Sequence, residues 1–329
     1  MTVGGPNIES SGASGYAIVV SGLPGETNQR LLAALTEKLA WISQGIDLRG
    51  LEGVGAHLHY EQALRGLDRG FGRASTQDSS SNTAIESNPG FDGGRAIPVL
   101  RDGQIKSHII LNAPYMLPLR DQSAPGHNQS VHLLAHECAH AEVIETLAQK
   151  FAGELFVQDP GGLHASLRRL AIMRCWNEYG ACWIAASYGE DPTLRYELNF
   201  QRHLEIVTQR ARDLVADYRN HANLERVLIE VHLAYARLMV LGSYLLGALN
   251  GTGRTWRDLP GTAKLLSGSW YAPYFERLDV ALADLAAANG TWVDLAGFQV
   301  IADIADELMN LGGVCVEDQG AAGLSIRVS

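Results

Sequence analysis

Cysteine and positive charge are both scarce in this chain, and each shortage excludes a class of protein. The cysteines are Cys138, Cys175, Cys182 and Cys315, and their spacing matches neither a CxxC pair nor a dense disulfide framework. We therefore expect reduced thiols, as in a cytoplasmic protein. Lys and Arg total 26 against 36 Asp and Glu, a formal net charge of −10. This balance argues against a generic nucleic-acid partner, because phosphate binding favours a basic surface.

The chain also lacks a clear secretory signal and a run of apolar residues long enough to cross a bilayer. Its first residues, MTVGGPNIESSGASG, contain neither a basic nor an apolar region and predict a flexible tail over residues 1–15. The most apolar later run is LMVLGSYLLGAL at 238–249. A membrane-spanning helix needs about 20 apolar residues. This shorter run therefore predicts a buried helix and no membrane partner.

The chain has 329 residues, 46% of them apolar, which is enough for about two soluble domains. Its first half alternates short β patterns with helical ones. Strands are predicted at 16–22 and 53–60, a helix at 28–43 and a β-hairpin at 96–112. Residues 73–95, rich in Ser, Asn, Asp and Gly, predict a mobile loop.

From Gln129 onward the pattern is almost wholly helical. Helices are predicted at 129–151, 164–187, 193–219, 222–249, 273–289 and 296–311, and a hairpin is predicted to close the chain. This order predicts an α+β fold with an α+β domain over 16–190 and a mainly α-helical domain over 191–329. The apolar helix at 222–249 suits a core or an oligomer interface, which leaves a homo-oligomer open.

The chemistry is concentrated in HLLAHECAHAEV at 132–143, which contains the H-E-x-x-H pattern. On a helix, His136 and His140 lie one turn apart on one face and can bind one Zn²⁺ at about 2.0–2.1 Å. Glu137 is rotated by about 100° from His136, so it flanks the metal as a general base. Val143 and Thr146 stand where a metzincin has Gly and His, which excludes that class.

A catalytic zinc needs a third protein ligand, and two later glutamates are candidates. Glu178 lies within the apolar helical pattern of 164–187, where a carboxylate is costly unless it is paired or bound to metal. Glu154 follows a glycine in an expected turn, where water satisfies it. We favour Glu178 as the ligand, and the alternative is an ion pair between Glu178 and Arg174 on a half-exposed helix.

HECAH followed by Asn177-Glu178 on a later helix resembles the gluzincin metallopeptidases, whose zinc is held by His, His and Glu. The hairpin directly before the HExxH helix is similar to the minigluzincin arrangement, and the context resembles the ImmA/IrrE-type peptidases. The resemblance covers about residues 96–187 and implies a zincin-like catalytic domain. It implies three metal ligands and one catalytic base, namely His136, His140, Glu178 and Glu137.

One position departs from the pattern of this group. Thermolysin-like enzymes carry an aspartate four residues after the glutamate ligand, where this chain has Cys182, so the support of the ligands differs or comes from another acid. His132 lacks an adjacent base and is expected at the surface or behind the ligands. The residue that stabilises the transition state is left open among Tyr179, Tyr115, His127 and His203.

We therefore expect a zinc-dependent hydrolase, a cytoplasmic metalloprotease acting on a peptide or protein substrate. Glu137 would activate a water bound to zinc and pass the proton to the leaving amine. The strand IKSHIILN at 105–112 is expected to offer an edge to an extended peptide. The alternative is a non-catalytic zincin-fold protein that binds a partner through its helical half, and the intact Glu137 favours the enzyme.

Overall fold

The computed structural model describes residues 8–11, 15–71, 93–158, 161–318 and 324–329. The chain divides into two compact units, Met1–Val157 with Ile184–Asp191, and Gln158–Trp183 with Pro192–Ser329. The sequence-based division had placed residues 158–183 with the catalytic domain, whereas the contacts group them with the helical unit. The functional roles of the two domains stay predictions.

Two segments predicted to be flexible lie largely outside the described residues. Of the predicted tail, residues 8–11 form a strand and the remainder up to residue 14 is not described. Of the predicted loop at 73–95, only its last three residues are described, and a strand begins at Gly94.

The first unit is built on a five-stranded sheet of order β1-β2-β3-β5-β4. Its strands are β1 Ile8–Ser11, β2 Ala17–Ser21, β3 Leu51–His57, β4 Gly94–Arg101 and β5 Gln104–Asn112. β3 runs parallel to both β2 and β5, whereas β1 and β4 are antiparallel strands at the two edges. Asp102 and Gly103 turn the β4–β5 hairpin with φ values of 51° and 78°, as the Asp-Gly dipeptide favours.

The helices of the first unit are α1 Gly25–Ile42, α2 Tyr60–Gly66, α3 Ala113–Met116 and α4 His127–Phe151. The leucines of α1 recur at helical spacing and are buried, as the pattern predicted. Tyr60 of α2 packs against Ile97 and Ile110 of the sheet. α4 packs against β4 and β5, and its residues 130–141 are all buried, so the HExxH residues lie in the interior of this unit.

The second unit is helical, as predicted. It contains most of α5 Leu163–Ala185, together with α6 Thr193–His221, α7 Leu224–Gly251, α8 Pro260–Leu266, α9 Ala272–Ala287, α10 Ala296–Leu311 and a hairpin of β6 Val314–Asp318 and β7 Leu324–Val328. α7 is long and apolar enough to cross a membrane, but 67% of its apolar window is buried inside the fold. That burial is typical of the core helix that the sequence predicted.

Candidate metal centre

The two histidines of the HExxH pattern face each other in the middle of α4. His136 and His140 are each 6% exposed, and their Nε2 atoms lie 3.0 Å apart. Their ring centroids are separated by 4.5 Å. The i, i+4 spacing of the sequence therefore produces the convergence of two imidazole nitrogens that a metal site requires.

Glu178 joins these histidines. One ligand atom from each of His136, His140 and Glu178 lies within 4.8 Å of the other two, and no other such group of three potential ligands occurs in the described part of the chain. Glu154 is exposed and lies in a π-helix, Ala152–Val157, so the expected turn at this position was wrong. Of the two glutamates considered from the sequence, Glu178 is the one brought to the histidines.

The His–His–Glu cluster fits a small divalent cation. Two ligand atoms bound tetrahedrally at about 2.0–2.1 Å are separated by about 3.3 Å, close to the 3.0 Å between the two Nε2 atoms. The ligand atom of Glu178 lies within 4.8 Å of both histidine nitrogens. Imidazole and carboxylate donors suit zinc and also other first-row metals. The geometry thus defines a metal-capable cluster without specifying the ion.

Tyr244 of α7 holds the carboxylate of Glu178. The Tyr244 hydroxyl donates a hydrogen bond to Glu178, and burial together with this carboxylate raises the pKa of Tyr244 well above its ordinary value. Sequence analysis missed this residue, because Tyr244 lies in a different helix and nothing in its local pattern separates it from a core tyrosine. The Glu178 carboxylate is thus fixed by a side chain from a neighbouring helix.

Small residues let α5 and α7 approach at this point. A Cβ atom added to Gly247 would lie 2.3 Å from the backbone oxygen of Tyr179 and 2.9 Å from Cβ of Cys182. Cys182 in turn shares a hydrogen bond with the buried hydroxyl of Tyr196. Gly247 and Cys182 therefore allow α5 and α7 to pack closely beside Glu178.

Glu137 is held by the edge of the sheet. The backbone N–H of Ala96, in β4, donates a hydrogen bond of 2.7 Å to Oε2 of Glu137. A Cβ atom on Gly94 would lie 2.8 Å from Cγ of Glu137, so only glycine leaves room for the glutamate there. Glu137 is buried, follows His136 directly in the chain and is not a member of the His–His–Glu cluster.

His132 is buried, not at the surface. Its side chain is 3% exposed, and Nδ1 lies 3.1 Å from the backbone oxygen of Tyr188, to which it donates. The backbone of Gly189 packs directly against the backbone of His132. This imidazole therefore ties α4 to the segment around Tyr188 and adds no ligand to the cluster.

The four residues considered for transition-state stabilisation lie in different environments. Tyr179 is buried and accepts a hydrogen bond from Asn250, whereas Tyr115 is 53% exposed. His127 and His203 each contact a backbone oxygen through one ring nitrogen. These contacts hold Tyr179, His127 and His203 in place, and the choice among the four residues stays a prediction.

All four cysteines are free thiols, as the sequence predicted. Cys138, Cys175 and Cys182 are buried, and burial raises the pKa of the Cys175 thiol to about 12. None of them belongs to the metal-capable cluster. They act as small apolar residues in the helix packing.

No protein family, no curated protein and no solved structure matches this chain. The resemblance to gluzincins therefore stays a prediction that rests on the HExxH pattern and on the geometry around it.

Proposed function

We propose that this protein is a zinc-dependent peptidase of the gluzincin type. The observation that carries the proposal is the convergence of His136, His140 and Glu178, with the Glu137 carboxylate beside them. Structural zinc sites are closed by four protein ligands, whereas catalytic sites use three and keep one position open. A cluster of three ligands with an adjacent carboxylate matches the catalytic arrangement.

In this proposal His136, His140 and Glu178 hold the ion, which lowers the pKa of water to about 7 and polarises the substrate carbonyl. Glu137 accepts the proton of the attacking water and delivers it to the leaving amine. The N–H of Ala96 orients the Glu137 carboxylate, and Tyr244 orients the Glu178 carboxylate. These contacts fix the direction in which each carboxylate offers its oxygen atoms.

An extended peptide would pair with β4. Sequence analysis had named residues 105–112 as the edge, but β5 lies between β3 and β4 and its backbone groups are used on both sides. The hairpin folds β4 to the outside, so β4 is the outermost strand of the sheet among the described residues and lies next to Glu137. Addition of a peptide strand to such an edge is a common recognition mode.

The alternative function, partner binding without catalysis, has one observation in its favour. α6 exposes three large apolar side chains, Leu194, Leu198 and Ile206, at 66%, 56% and 53%. Exposed apolar groups on one helix suit a protein partner. A buried glutamate beside two facing histidines has no use in that function, which is why we place the peptidase first.

The test compares wild-type protein with Glu137→Gln, both reconstituted with zinc, on a mixed-sequence peptide library. We expect the variant to retain zinc and lose hydrolysis, by roughly 10²-fold or more, because only the proton acceptor is removed. Glu145→Gln, on the same helix, is the matched control and should hydrolyse like wild type. Zinc lost from Glu137→Gln would show that Glu137 is a ligand, and wild-type protein that binds zinc but cleaves nothing would favour partner binding.

A further inference from the structure

No strand of the described part of the chain pairs with the outer edge of β4. Asn112 donates its backbone N–H to the oxygen of Gly93, so Gly93 and every second residue after it direct their backbone groups towards β5. The backbone groups of the intervening residues point to the outer edge. These outward residues are Gly94, Ala96, Pro98 and Leu100.

Beyond Gly94, none of the outward positions within β4 has an N–H free for an added strand. The N–H of Ala96 is bound to Glu137 at 2.7 Å. Pro98 has no N–H at all. The N–H of Leu100 donates to the backbone oxygen of Arg69 at 2.8 Å. Within this stretch a peptide could therefore use only the carbonyl oxygens of Ala96 and Pro98.

Residues 68–70, which we call the edge plug, close the carboxyl end of this edge. Besides the bond between Arg69 and Leu100, the Arg101 guanidinium donates to the backbone oxygen of Asp68 at 2.7 Å. A Cβ atom on Gly70 would lie 2.1 Å from the oxygen of Leu100, so the plug fits closely against the strand. The protein thus pairs its own chain with the position that a long peptide would occupy.

The Arg101 side chain, which donates to the plug, is itself fixed to the sheet. Its Nε donates to the carboxylate of Glu52 in β3, and its NH1 group donates to the oxygen of Leu100 at 3.0 Å. Displacing the plug would break the hydrogen bond between Leu100 and Arg69 and the one between Arg101 and Asp68. A substrate residue that forms one new hydrogen bond gains too little to offset that loss.

We propose, on the basis of the peptidase function proposed above, that the substrates are short peptides or the ends of longer chains. The position opposite Ala96 and the position opposite Pro98 are separated by about 7 Å, the rise of two strand residues. Past the position opposite Ala96, a peptide therefore extends by only about two residues before it meets the edge plug. Long chains enter only when one of their ends lies on that side.

The main test uses zinc-reconstituted full-length protein with two probes, mixed-sequence tetrapeptides and mixed-sequence dodecapeptides, with products identified by mass spectrometry. We expect cleavage of the tetrapeptides, and cleavage of the dodecapeptides only near one end. Dodecapeptides cut in their interior as efficiently as tetrapeptides would overturn the inference and leave the peptidase function intact. Failure to cleave either probe would instead overturn the peptidase function on which the inference rests.

Two substitutions open the edge. Pro98→Val restores an outward N–H at an edge position, and Gly70→Val displaces the plug from Leu100. We expect the ratio of interior to terminal cleavage of dodecapeptides to rise by about two- to tenfold in each, the effect of one backbone hydrogen bond. Gly268→Val is the matched control, because Gly268 and Gly70 share a φ of +73° but Gly268 has open space around it. An unchanged ratio in both edge variants contradicts the inference.

A binding measurement separates this inference from catalysis. Zinc-loaded Glu137→Gln is titrated with fluorescently labelled tetrapeptides and dodecapeptides, and anisotropy is recorded. We expect equal affinities for the two lengths, because the additional residues find no further edge to pair with. Dodecapeptides that bind tenfold or more tightly than tetrapeptides would show that the edge continues past the plug, and the inference would be wrong.

Discussion

Nε2 of His136 and Nε2 of His140 face each other across 3.0 Å on consecutive turns of α4. Two neutral imidazoles satisfy such a contact only when one nitrogen donates and the other accepts. A cation bound by both nitrogens replaces that single hydrogen bond with two coordinate bonds. We therefore expect metal binding to stabilise this pair of histidines.

The first prediction concerns metal-linked stability. A ligand that binds only the folded state at 100 times its Kd adds about 2.7 kcal/mol to the free energy of unfolding. We expect zinc to raise the Tm of chelator-treated wild-type protein and to have no such effect on His140→Ala. Differential scanning calorimetry with and without zinc measures both. Equal shifts in the two proteins would place the zinc site elsewhere in the chain.

The second prediction separates the two glutamates. Glu178→Ala removes one of three ligands and should weaken zinc affinity by at least about 10²-fold, because two histidines alone leave the site incomplete. Glu154→Ala should leave the affinity nearly unchanged, since Glu154 is exposed on the π-helix. Competition with a chromogenic chelator measures the two affinities. A larger loss in Glu154→Ala than in Glu178→Ala would reverse the ligand assignment.

The third prediction tests Tyr244 as a positioning residue. Tyr244→Phe removes the hydroxyl that donates to Glu178, and loss of such an outer contact weakens metal binding by about 10–100-fold. Tyr196→Phe is the control, because Tyr196 is equally buried but shares its hydrogen bond with Cys182. Zinc affinity is compared at equal folded fraction, checked by circular dichroism. Similar affinities in the two variants would reduce Tyr244 to a packing role.

The fourth prediction concerns acid stability. Burial lowers the pKa of His232 to about 4 in the folded protein, against about 6.5 in an unfolded chain. Between these values the unfolded state binds more protons, so the stability is complete above about pH 6.5 and falls as the pH drops. From pH 7.5 to pH 5 this group should remove about 2 kcal/mol from the free energy of unfolding.

Urea unfolding at these two pH values measures that loss, with His232→Leu as the comparison. The variant has no titrating imidazole at this buried position, so its stability should change less with pH by about the same 2 kcal/mol. A pH dependence identical in the two proteins would show that other groups cause the acid destabilisation.

Much of the helical architecture follows from local pattern. The helix α10 begins and ends where the periodicity predicted, and α4 and α5 each differ from their predicted limits by at most two residues. The pairing of His136 with His140 is equally local, because one helical turn brings them together whatever the rest of the fold does. Glu178 could be favoured over Glu154 from its apolar neighbours alone.

Contacts between distant residues decided the remainder. Which strand of the hairpin pairs with β3 is decided by the fold, although Pro98, which lacks an N–H, already favours β4 as the edge strand. The burial of His132 depends on the segment around Tyr188, and the support of Glu178 depends on Tyr244 in another helix. Local periodicity reports which face of an element is apolar. It carries no information about which partner covers that face, and the partner is what orients the carboxylates and closes the edge of the sheet.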